Sequence, residues 1–384
     1  MATQKTNAEP RPDLRISLSS VPTTMRAVVY HGINDLRLET VPVPVIGPGE
    51  LLVKIATCGV CGTDLKKIRL GSHSAPRIFG HEMAGTIVRA GEGVNKFAVG
   101  ARVMVYHHIP CGQCYYCRKQ TFAQCSTYKK VGATAGFEPS GGGFSEYIRV
   151  MDWIVRMGGV VRIPDGVPFE QAAFMEPVNT VLKGVKLLHL AADETVLVIG
   201  QGPIGILLAA LSRRTGARVL TSDLYPERQA IAAKFGLHEP IQAGNENVVE
   251  RAMAATEGRG ADAVILAVGG SALIPAAMAA VRPGGKVMLF AQTQHETASF
   301  DPGAVCMDEK TLLGSYSAST AIQPEVEELV LGGYRDGFDL TQLISHRFPL
   351  EEAVQAIEIA SNPKADSMKI MIESAPGAGA EWGG

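Results

Sequence analysis

A glycine-rich turn between a buried strand and a helix limits the folds open to this chain more than any other feature. The run T-V-L-V-I before the turn is apolar throughout, as in a strand buried on both faces. The turn has glycines at Gly200, Gly202 and Gly205, and Pro203 and Ile204 open a helical stretch. Glycines at these positions permit a tight turn, let the backbone approach a pyrophosphate and let helix and strand pack closely. The helix N-terminus would face the phosphate charge, so the turn predicts a dinucleotide site.

The next strand, R-V-L-T-S-D, ends on an acidic residue that bears on which dinucleotide binds. Asp223 stands close to the spacing expected for a carboxylate that accepts hydrogen bonds from the adenosine ribose and repels a 2′-phosphate. The sequence therefore predicts NAD rather than NADP. Arg228, one turn further on, would stack beside the adenine or, as a second option, meet a phosphate. A plain glycine turn with a solvated aspartate is the competing interpretation.

The two halves of the chain follow different patterns. Residues 25 to about 177 form short β-branched segments between Gly and Pro turns, which predicts an antiparallel or barrel-like β region. A helix is predicted over residues 178–188, and strands then alternate with helices, as in a parallel sheet covered by helices. The length of 384 residues agrees with about two domains, and the predicted class is α/β.

The strongest local signal is a set of four cysteines with the spacing C-x2-C-x2-C-x7-C: Cys111, Cys114, Cys117 and Cys125. Such short spacings let one loop wrap an ion tetrahedrally with four thiolates and no open position, which indicates a structural zinc. An iron–sulfur site, four unrelated thiols and a nucleic-acid-binding zinc ribbon are the alternatives. The net charge of −2 and the lack of a long Lys or Arg run disfavour nucleic acid and anionic membrane as partners.

A second set of candidate metal ligands lies in C-G-V-C-G-T-D and F-G-H-E. Cys61, His81 and Glu82 offer sulfur, nitrogen and oxygen, a set that a catalytic zinc accepts while one position stays open. In the competing interpretation, Cys61 is a small buried hydrophobe and the other two form a surface pair. Glu176, in M-E-P-V at the seam of the two halves, is placed to reach the metal, and a surface acid is the alternative. The proline after Glu176 predicts an extended backbone there.

Composition adds further limits. An apolar content of 46% with 19% charged residues suits a well-buried core, and no apolar stretch is long enough to span a bilayer. Of the seven cysteines, four form one tight cluster and two more flank a turn, a grouping that favours metal ligands over disulfide bonds and a reducing cytoplasm as the setting. Residues 1–24 are polar and are predicted to be disordered, and the Gly-rich end, residues 375–384, is predicted to be a flexible tail.

Together, these motifs resemble the zinc-containing medium-chain alcohol dehydrogenase superfamily, in its sorbitol (polyol) and threonine dehydrogenase branch. The resemblance runs from residue 25 to about 372 and includes G-G-G-F-S-E-Y, H-R-F-P-L-E-E-A and M-K-I-M-I. It implies a GroES-like catalytic domain (25–180), a doubly wound parallel-sheet Rossmann domain that binds NAD (181–315) and a return to the catalytic domain (316–384). It also implies a homodimer or homotetramer.

The resemblance implies roles for individual residues. Cys61 and His81 match catalytic zinc ligands, and Thr63 matches the hydroxyl that hydrogen-bonds the substrate oxygen. Two acids of the family, either of which binds the metal, correspond to Glu82 and Glu176. The family's cofactor contacts correspond to Ile204, Asp223 and Arg228. The implied reaction is hydride transfer between NAD(H) and a small-molecule secondary alcohol, with two zinc ions per chain, one catalytic and one structural.

Two departures from the family pattern bear on the substrate. Lys66 stands where the family usually has a histidine for proton relay, and residues 315–318, S-Y-S-A, stand where sorbitol dehydrogenases carry an Arg for polyol hydroxyls. The expected substrate is therefore the secondary alcohol of a polar polyol, sugar or cyclitol other than sorbitol, with a sugar acid and an amino-cyclitol as further candidates. Oxidation of threonine or a related amino alcohol is the runner-up, and a catalytically silent binding scaffold is the alternative from another class.

A comparison of the two cofactors tests the prediction for Asp223. We expect kcat/KM for NAD to exceed that for NADP by about a hundredfold, because placing like charges together costs several kcal/mol. Asp223→Asn removes the negative charge, so the ratio of kcat/KM for NAD to kcat/KM for NADP should become smaller. Initial rates with both cofactors measure it, and a wild-type preference for NADP would contradict the role given to Asp223.

Overall fold

The computed structural model describes residues 21–137, 139–291 and 295–374, which form three β-sheets with helices around them. The strands are β1 (Thr24–Gly32), β2 (Asp35–Pro42), β3 (Leu51–Gly59), β4 (Arg77–Ile78), β5 (Glu82–Ala90), β6 (Arg102–Val105), β7 (Ala133–Thr134), β8 (Tyr147–Val150), β9 (Val160–Arg162), β10 (Thr195–Ile199), β11 (Arg218–Asp223), β12 (Pro240–Gln242), β13 (Ala261–Leu266), β14 (Val281–Leu289), β15 (Thr311–Gly314), β16 (Ile344–Pro349) and β17 (Lys369–Glu373).

The helices connect these strands and cover the sheets. They are α1 (Gly62–Leu70), α2 (Tyr115–Arg118), α3 (Asp152–Arg156), α4 (Phe169–Ala173), α5 (Met175–Leu188), α6 (Pro203–Arg213), α7 (Pro226–Ala233), α8 (Val248–Ala255), α9 (Ile274–Ala280), α10 (Pro302–Cys306), α11 (Gln323–Glu327), α12 (Gly333–Arg335) and α13 (Ala353–Ser361). A π-helical turn, Glu328–Gly332, joins α11 to α12. Within the described ranges, no helix is both long and apolar enough to cross a membrane.

The second half of the chain forms a six-stranded parallel sheet with the order β12-β11-β10-β13-β14-β15. Every residue of β10 is buried, as the continuous apolar run predicts for a strand covered on both faces. The sheet order reverses at β10, so the crevice at the carboxyl end of β10 lies at the topological switch point where such sheets bind ligands. The predicted α/β class with a doubly wound parallel sheet is confirmed.

The β-rich half is built around β3. The order of its larger sheet is β16-β17-β3-β5-β6-β9, with β8 also paired to β3 and β7 paired to β8. All of these pairs are antiparallel except β16 with β17. A three-stranded antiparallel sheet, β2-β1-β4, lies beside it. Because β17 pairs with β3, the C-terminal segment returns to the β-rich half after the parallel sheet is complete.

The structure corrects two local predictions. Glu176 is not extended, because α5 begins at Met175 and places Glu176 in its first turn, directly before Pro177. A proline fits the first turn of a helix, where the N–H groups have no intrahelical acceptor. At the other end, β1 begins at Thr24, inside the segment predicted to be disordered, and the carbonyl of the preceding residue accepts a hydrogen bond from Val43 at 3.0 Å. Residues 1–20 and the predicted tail, 375–384, lie outside the described residues.

The glycine turn after β10 has the geometry that its sequence predicts. Gly200 has a φ of +96°, a left-handed conformation that favours glycine. A Cβ on Gly205 would lie 1.8 Å from the Gly200 carbonyl oxygen, whereas a Cβ on Gly202 would meet nothing within 4 Å. Two of the glycines are therefore required by the fold itself, and the open space at Gly202 lies where a bound pyrophosphate would pass.

These two glycines give a matched pair of substitutions. Gly205→Ala should lower the free energy of unfolding by about 1–3 kcal/mol, because the methyl group forces helix α6 away from β10. Gly202→Ala should leave the stability of the free protein unchanged and weaken dinucleotide binding. Thermal unfolding with and without NADH measures both effects. Equal losses of stability in the two variants would contradict this account of the turn.

Candidate metal centre and cofactor site

The register between β3 and β5 brings the three candidate ligands together. Gly59, the last residue of β3, pairs with Glu82, the first residue of β5. Cys61 follows β3 and caps α1, and His81 precedes β5. One ligand atom from each of Cys61, His81 and Glu82 lies within 4.8 Å of the others. Zinc bonds of about 2.0–2.3 Å can reach atoms this close, so the donor set fits a zinc ion. We call these three residues the mixed-ligand cluster.

The imidazole of His81 is oriented by a carboxylate for which the sequence predicted no role. Asp64, in the first turn of α1, is buried, and its Oδ1 lies 3.1 Å from Nδ1 of His81. Burial opposes a charged imidazole, but Asp64 and Cys61 outweigh it and raise the pKa of His81 well above its usual value. The same negative charges favour a cation, and Nε2 is left to bind it. The carboxylate follows Thr63 within the motif C-G-T-D, which is the sequence signal for it.

The carboxylate of Glu82 is paired with a lysine from the last strand. Nζ of Lys369 contacts Oε2 of Glu82 and donates a hydrogen bond to the Val60 carbonyl at 3.1 Å. Both residues are buried, with 6% of the surface of Lys369 and 2% of that of Glu82 exposed. Burial works against the charge of Lys369, yet Glu82 raises its pKa. Sequence reasoning missed this residue, because nothing in M-K-I-M-I indicates which distant acid the lysine meets.

Glu176 lies near the mixed-ligand cluster but is not one of its members. It is buried in the first turn of α5 but does not belong to the group whose ligand atoms lie within 4.8 Å of one another. Burial raises the pKa of Glu176 to about 7, with a further contribution from Glu82 that His81 and Lys369 oppose. Of the two acids that the sequence proposed for the metal, Glu82 is the one whose carboxylate oxygen lies within 4.8 Å of the Cys61 and His81 ligand atoms, and Glu176 lines the neighbouring cleft.

Thr63 and Lys66 occupy the first turns of α1, next to the mixed-ligand cluster. The N–H of Thr63 donates to the sulfur of Cys61 at 3.4 Å, an orientation that also suits a thiolate ligand. Lys66 is half-buried, and burial together with Arg69 lowers its pKa. Its ammonium group still has only donors to offer at neutral pH, unlike the histidine expected at this position.

A small cleft adjoins the mixed-ligand cluster, since the ring centroids of His107 and His81 are 4.8 Å apart. Nδ1 of His107 and both ring nitrogens of His108 have no hydrogen-bond partner within the part of the chain that the structure describes. Burial lowers the pKa of both imidazoles well below the usual value, so both are neutral at pH 7. The cleft is lined by Tyr106, His107, His108, Ile109, Tyr128, Glu176, Asn179, Ala318, Ser319, Thr320 and Gln323.

The four predicted cysteine ligands come together in one loop, residues 111–125, which we call the four-cysteine loop. Sγ of Cys117 lies 3.9 Å from that of Cys111 and 3.6 Å from that of Cys114. These distances match the edge of about 3.8 Å expected for a tetrahedron with zinc–sulfur bonds of about 2.3 Å. Although burial opposes ionisation, the Cys111 N–H and Thr127 lower the pKa of Cys125 to about 6. The loop therefore fits a closed zinc site.

The residues proposed to bind the dinucleotide surround the glycine turn. Asp223, at the end of β11, accepts hydrogen bonds from the N–H groups of Gln201 at 2.6 Å and Tyr225 at 2.9 Å. The guanidinium of Arg228 lies 3.7 Å from Asp223 and 4.8 Å from the centroid of the Tyr225 ring. Pro203 opens α6, and Ile204 packs against the core as its second residue. The turn, its acidic neighbour and its flanking arginine thus lie together, and they fit a dinucleotide.

Asp64→Asn tests the contact that orients His81. We expect zinc affinity at the mixed-ligand cluster to fall about ten- to a hundredfold, because a carboxylate behind a ligating imidazole fixes its orientation and raises its basicity. Chelator titration with metal analysis measures this loss, and the zinc of the four-cysteine loop serves as an internal reference. Asp35→Asn, at an exposed ion pair with Arg37, is the matched control. Unchanged affinity in Asp64→Asn would contradict the contact's role.

Comparison with known proteins agrees with this geometry. A family model described as an alcohol dehydrogenase GroES-like domain matches residues 47–165, and one described as a zinc-binding dehydrogenase matches residues 203–331. Sorbitol dehydrogenase of Bacillus subtilis (strain 168) is 29% identical over 359 residues, 92% of this chain and 98% of that protein. L-Threonine 3-dehydrogenase of Pyrococcus furiosus is 34% identical over 286 residues, 72% of this chain and 76% of that protein.

A solved structure extends the similarity to three dimensions. A protein described as a zinc-binding dehydrogenase from Sinorhizobium meliloti 1021, bound to NADP, superposes with a TM-score of 0.81 at 30% identity. The match covers 92% of this chain and all of that one, 100%. On the family models, the relatives and the shared fold, the chain belongs to the zinc-containing medium-chain alcohol dehydrogenase superfamily.

Proposed function

We propose that this protein is an NAD- and zinc-dependent dehydrogenase that oxidises a secondary alcohol of a polyol, sugar or cyclitol. The observation that carries the proposal is the mixed-ligand cluster, which has a cleft with hydroxyl, amide and imidazole side chains beside it. A cluster that can hold a zinc ion, an adjoining cleft with hydrogen-bonding side chains and a dinucleotide turn are together the parts that this reaction needs.

When bound, zinc would supply a Lewis acid for the substrate hydroxyl and NAD would supply the hydride acceptor. Cys61, His81 and Glu82 would hold the ion, with Asp64 fixing the imidazole and Lys369 balancing the charge of Glu82. The hydroxyl of Thr63, on the turn that follows Cys61, would accept the proton of the substrate hydroxyl.

The outward path of that proton differs from the family's usual relay. A charged Lys66 cannot accept a proton from Thr63, because an ammonium group has no lone pair. Glu176 is a candidate acceptor, since its buried carboxylate lines the cleft beside the mixed-ligand cluster. We propose that protons released by the alcohol leave through the cleft side of the site rather than through Lys66.

The character of the cleft favours a neutral polyhydroxylated substrate. Among the cleft residues that the structure describes, the polar groups are hydroxyls, amides, neutral imidazoles and the Glu176 carboxylate, and no Lys or Arg is present. Threonine would bring a carboxylate into this space, and a buried carboxylate needs a cationic or strongly donating partner. The similarity to the Pyrococcus L-threonine 3-dehydrogenase keeps amino-alcohol oxidation as the second candidate.

The cofactor, assembly and compartment complete the proposal. NAD is favoured over NADP because the Asp223 carboxylate stands at the end of β11, although the Sinorhizobium relative was solved with NADP. A homodimer or homotetramer in a reducing cytoplasm follows from the resemblance and from the free thiols. Light scattering of the purified protein tests the assembly.

A substrate panel tests the reaction. NADH absorbance is followed with sorbitol, erythritol, cyclitols, sugar acids and threonine, and we expect the neutral polyhydroxylated compounds to give the highest kcat/KM. In Cys61→Ala, turnover should fall to background while NADH binding survives, because the zinc ligand and the dinucleotide turn are separate. The wild type should hold about two zinc ions per chain. Undiminished turnover in Cys61→Ala, or a panel in which only threonine reacts, would overturn the proposal.

A further inference from the structure

Tyr128 connects the four-cysteine loop to the cleft beside the mixed-ligand cluster. It lies three residues after Cys125, and its N–H donates to the Cys125 carbonyl at 3.1 Å. Its side chain is 3% exposed and packs in one small cluster with Cys117 and Cys125. Because the position of these two cysteines depends on the metal that the loop binds, the position of Tyr128 depends on that metal as well.

The Tyr128 ring is also part of the cleft wall. It meets His108 edge-on, with ring centroids 3.7 Å apart and planes at 83°. The ring of His107 contacts the ring of His108, with centroids 3.6 Å apart. Since neither nitrogen of His108 has a partner within the described ranges, packing against Tyr128 and His107 fixes the direction in which these nitrogens point. Tyr128 thereby sets the hydrogen-bonding pattern that the cleft presents.

A second wall segment, residues 315–320, is held by the hydroxyl of Tyr128. This segment follows β15 and contributes backbone and side chains to the cleft. Ser317 has a φ of +62°, a left-handed conformation that a residue with a Cβ keeps only where its surroundings impose it. Oη of Tyr128 lies 3.0 Å from Oγ of Ser317.

The same wall segment has further hydrogen bonds. Lys183 donates to the Tyr316 and Ser317 carbonyls at 2.8 and 3.4 Å, and the Ser319 N–H donates to Asn179 at 2.8 Å.

We propose that Tyr128 is a positioning residue that couples the four-cysteine metal site to the substrate cleft. The folded loop fixes Tyr128, and Tyr128 fixes both His108 and residues 315–320. The structural metal then affects how well the substrate is recognised, in addition to stabilising its own loop. This inference rests on the proposed function in one respect, namely that the cleft binds the substrate.

Hydrogen exchange of the zinc-loaded protein tests the coupling without any substrate. In Tyr128→Phe, which keeps the ring and removes the hydroxyl, a peptide covering residues 315–320 should exchange about three- to tenfold faster, because one hydrogen bond is lost. Chelating the zinc of the four-cysteine loop in the wild type should accelerate the same peptide. The exchange rate of a peptide covering β11 should be unchanged in both cases. Unchanged exchange at residues 315–320 in either case overturns the coupling.

Steady-state kinetics tests the consequence for the substrate. With the best alcohol of the panel, Tyr128→Phe should raise KM about threefold to tenfold, with kcat within about twofold and zinc content at the wild-type value. Ser317→Ala removes the same hydrogen bond, so the double variant should be no worse than either single variant. Tyr115→Phe is the matched control, because Tyr115 lies in the same loop with 62% of its surface exposed.

The outcomes separate the two proposals. If the wild type oxidises none of the panel, the proposed function fails, while the exchange experiment still decides the coupling. If the wild type is active and Tyr128→Phe has an unchanged KM, the coupling fails alone. If kcat and zinc content both fall in Tyr128→Phe while KM rises by a similar factor, Tyr128 only stabilises the loop. This result would also overturn the inference.

Discussion

The candidate active site depends on the register between β3 and β5. Gly59 faces Glu82 across the pair, so Cys61 and His81, just outside the two strand ends, are brought to the same point. A slip of one residue would turn the Glu82 side chain to the other face of the sheet. Gly59 also has no room for a side chain, since a Cβ there would lie 2.3 Å from Oε2 of Glu82 and 2.7 Å from Cε of Lys369. The register and this glycine together define the space in which a metal would bind.

Charge balance is the second constraint on this site. Asp64, Glu82 and Glu176 are all buried close to one another, and buried carboxylates are stable only when positive charge or hydrogen bonds compensate them. Lys369 and His81 supply part of this compensation. Burial raises the pKa of Glu176, with Glu82 and Asp64 adding to the effect and His81 and Lys369 opposing it. A divalent cation at the mixed-ligand cluster would complete the balance, which is a reason independent of any resemblance for expecting one there.

The sequence predicted those features that depend on neighbours along the chain. The glycine turn, the four-cysteine loop and the buried strand β10 are local patterns, and the structure has each of them where the pattern lies. Local reasoning was wrong for Glu176, because the rule for a residue before proline yielded to the start of a helix. It could not identify Lys369, whose contact with Glu82 spans 287 positions. The link through Tyr128 was likewise out of reach, because it depends on packing between three separate segments.

The pairing of β17 with β3 also orders events in time. During synthesis the N-terminal parts of a chain fold first, so β3 and β5 are available long before β17 leaves the ribosome. Until then, residues 57–59 of β3 lack their β17 partner, and unpaired strand backbone is a site for wrong association. Glu82 also lacks its lysine during this interval, so the unfinished chain presents a more negative set of metal ligands than the finished protein. Completion of the last strand therefore both closes the sheet and sets the final charge of the metal site.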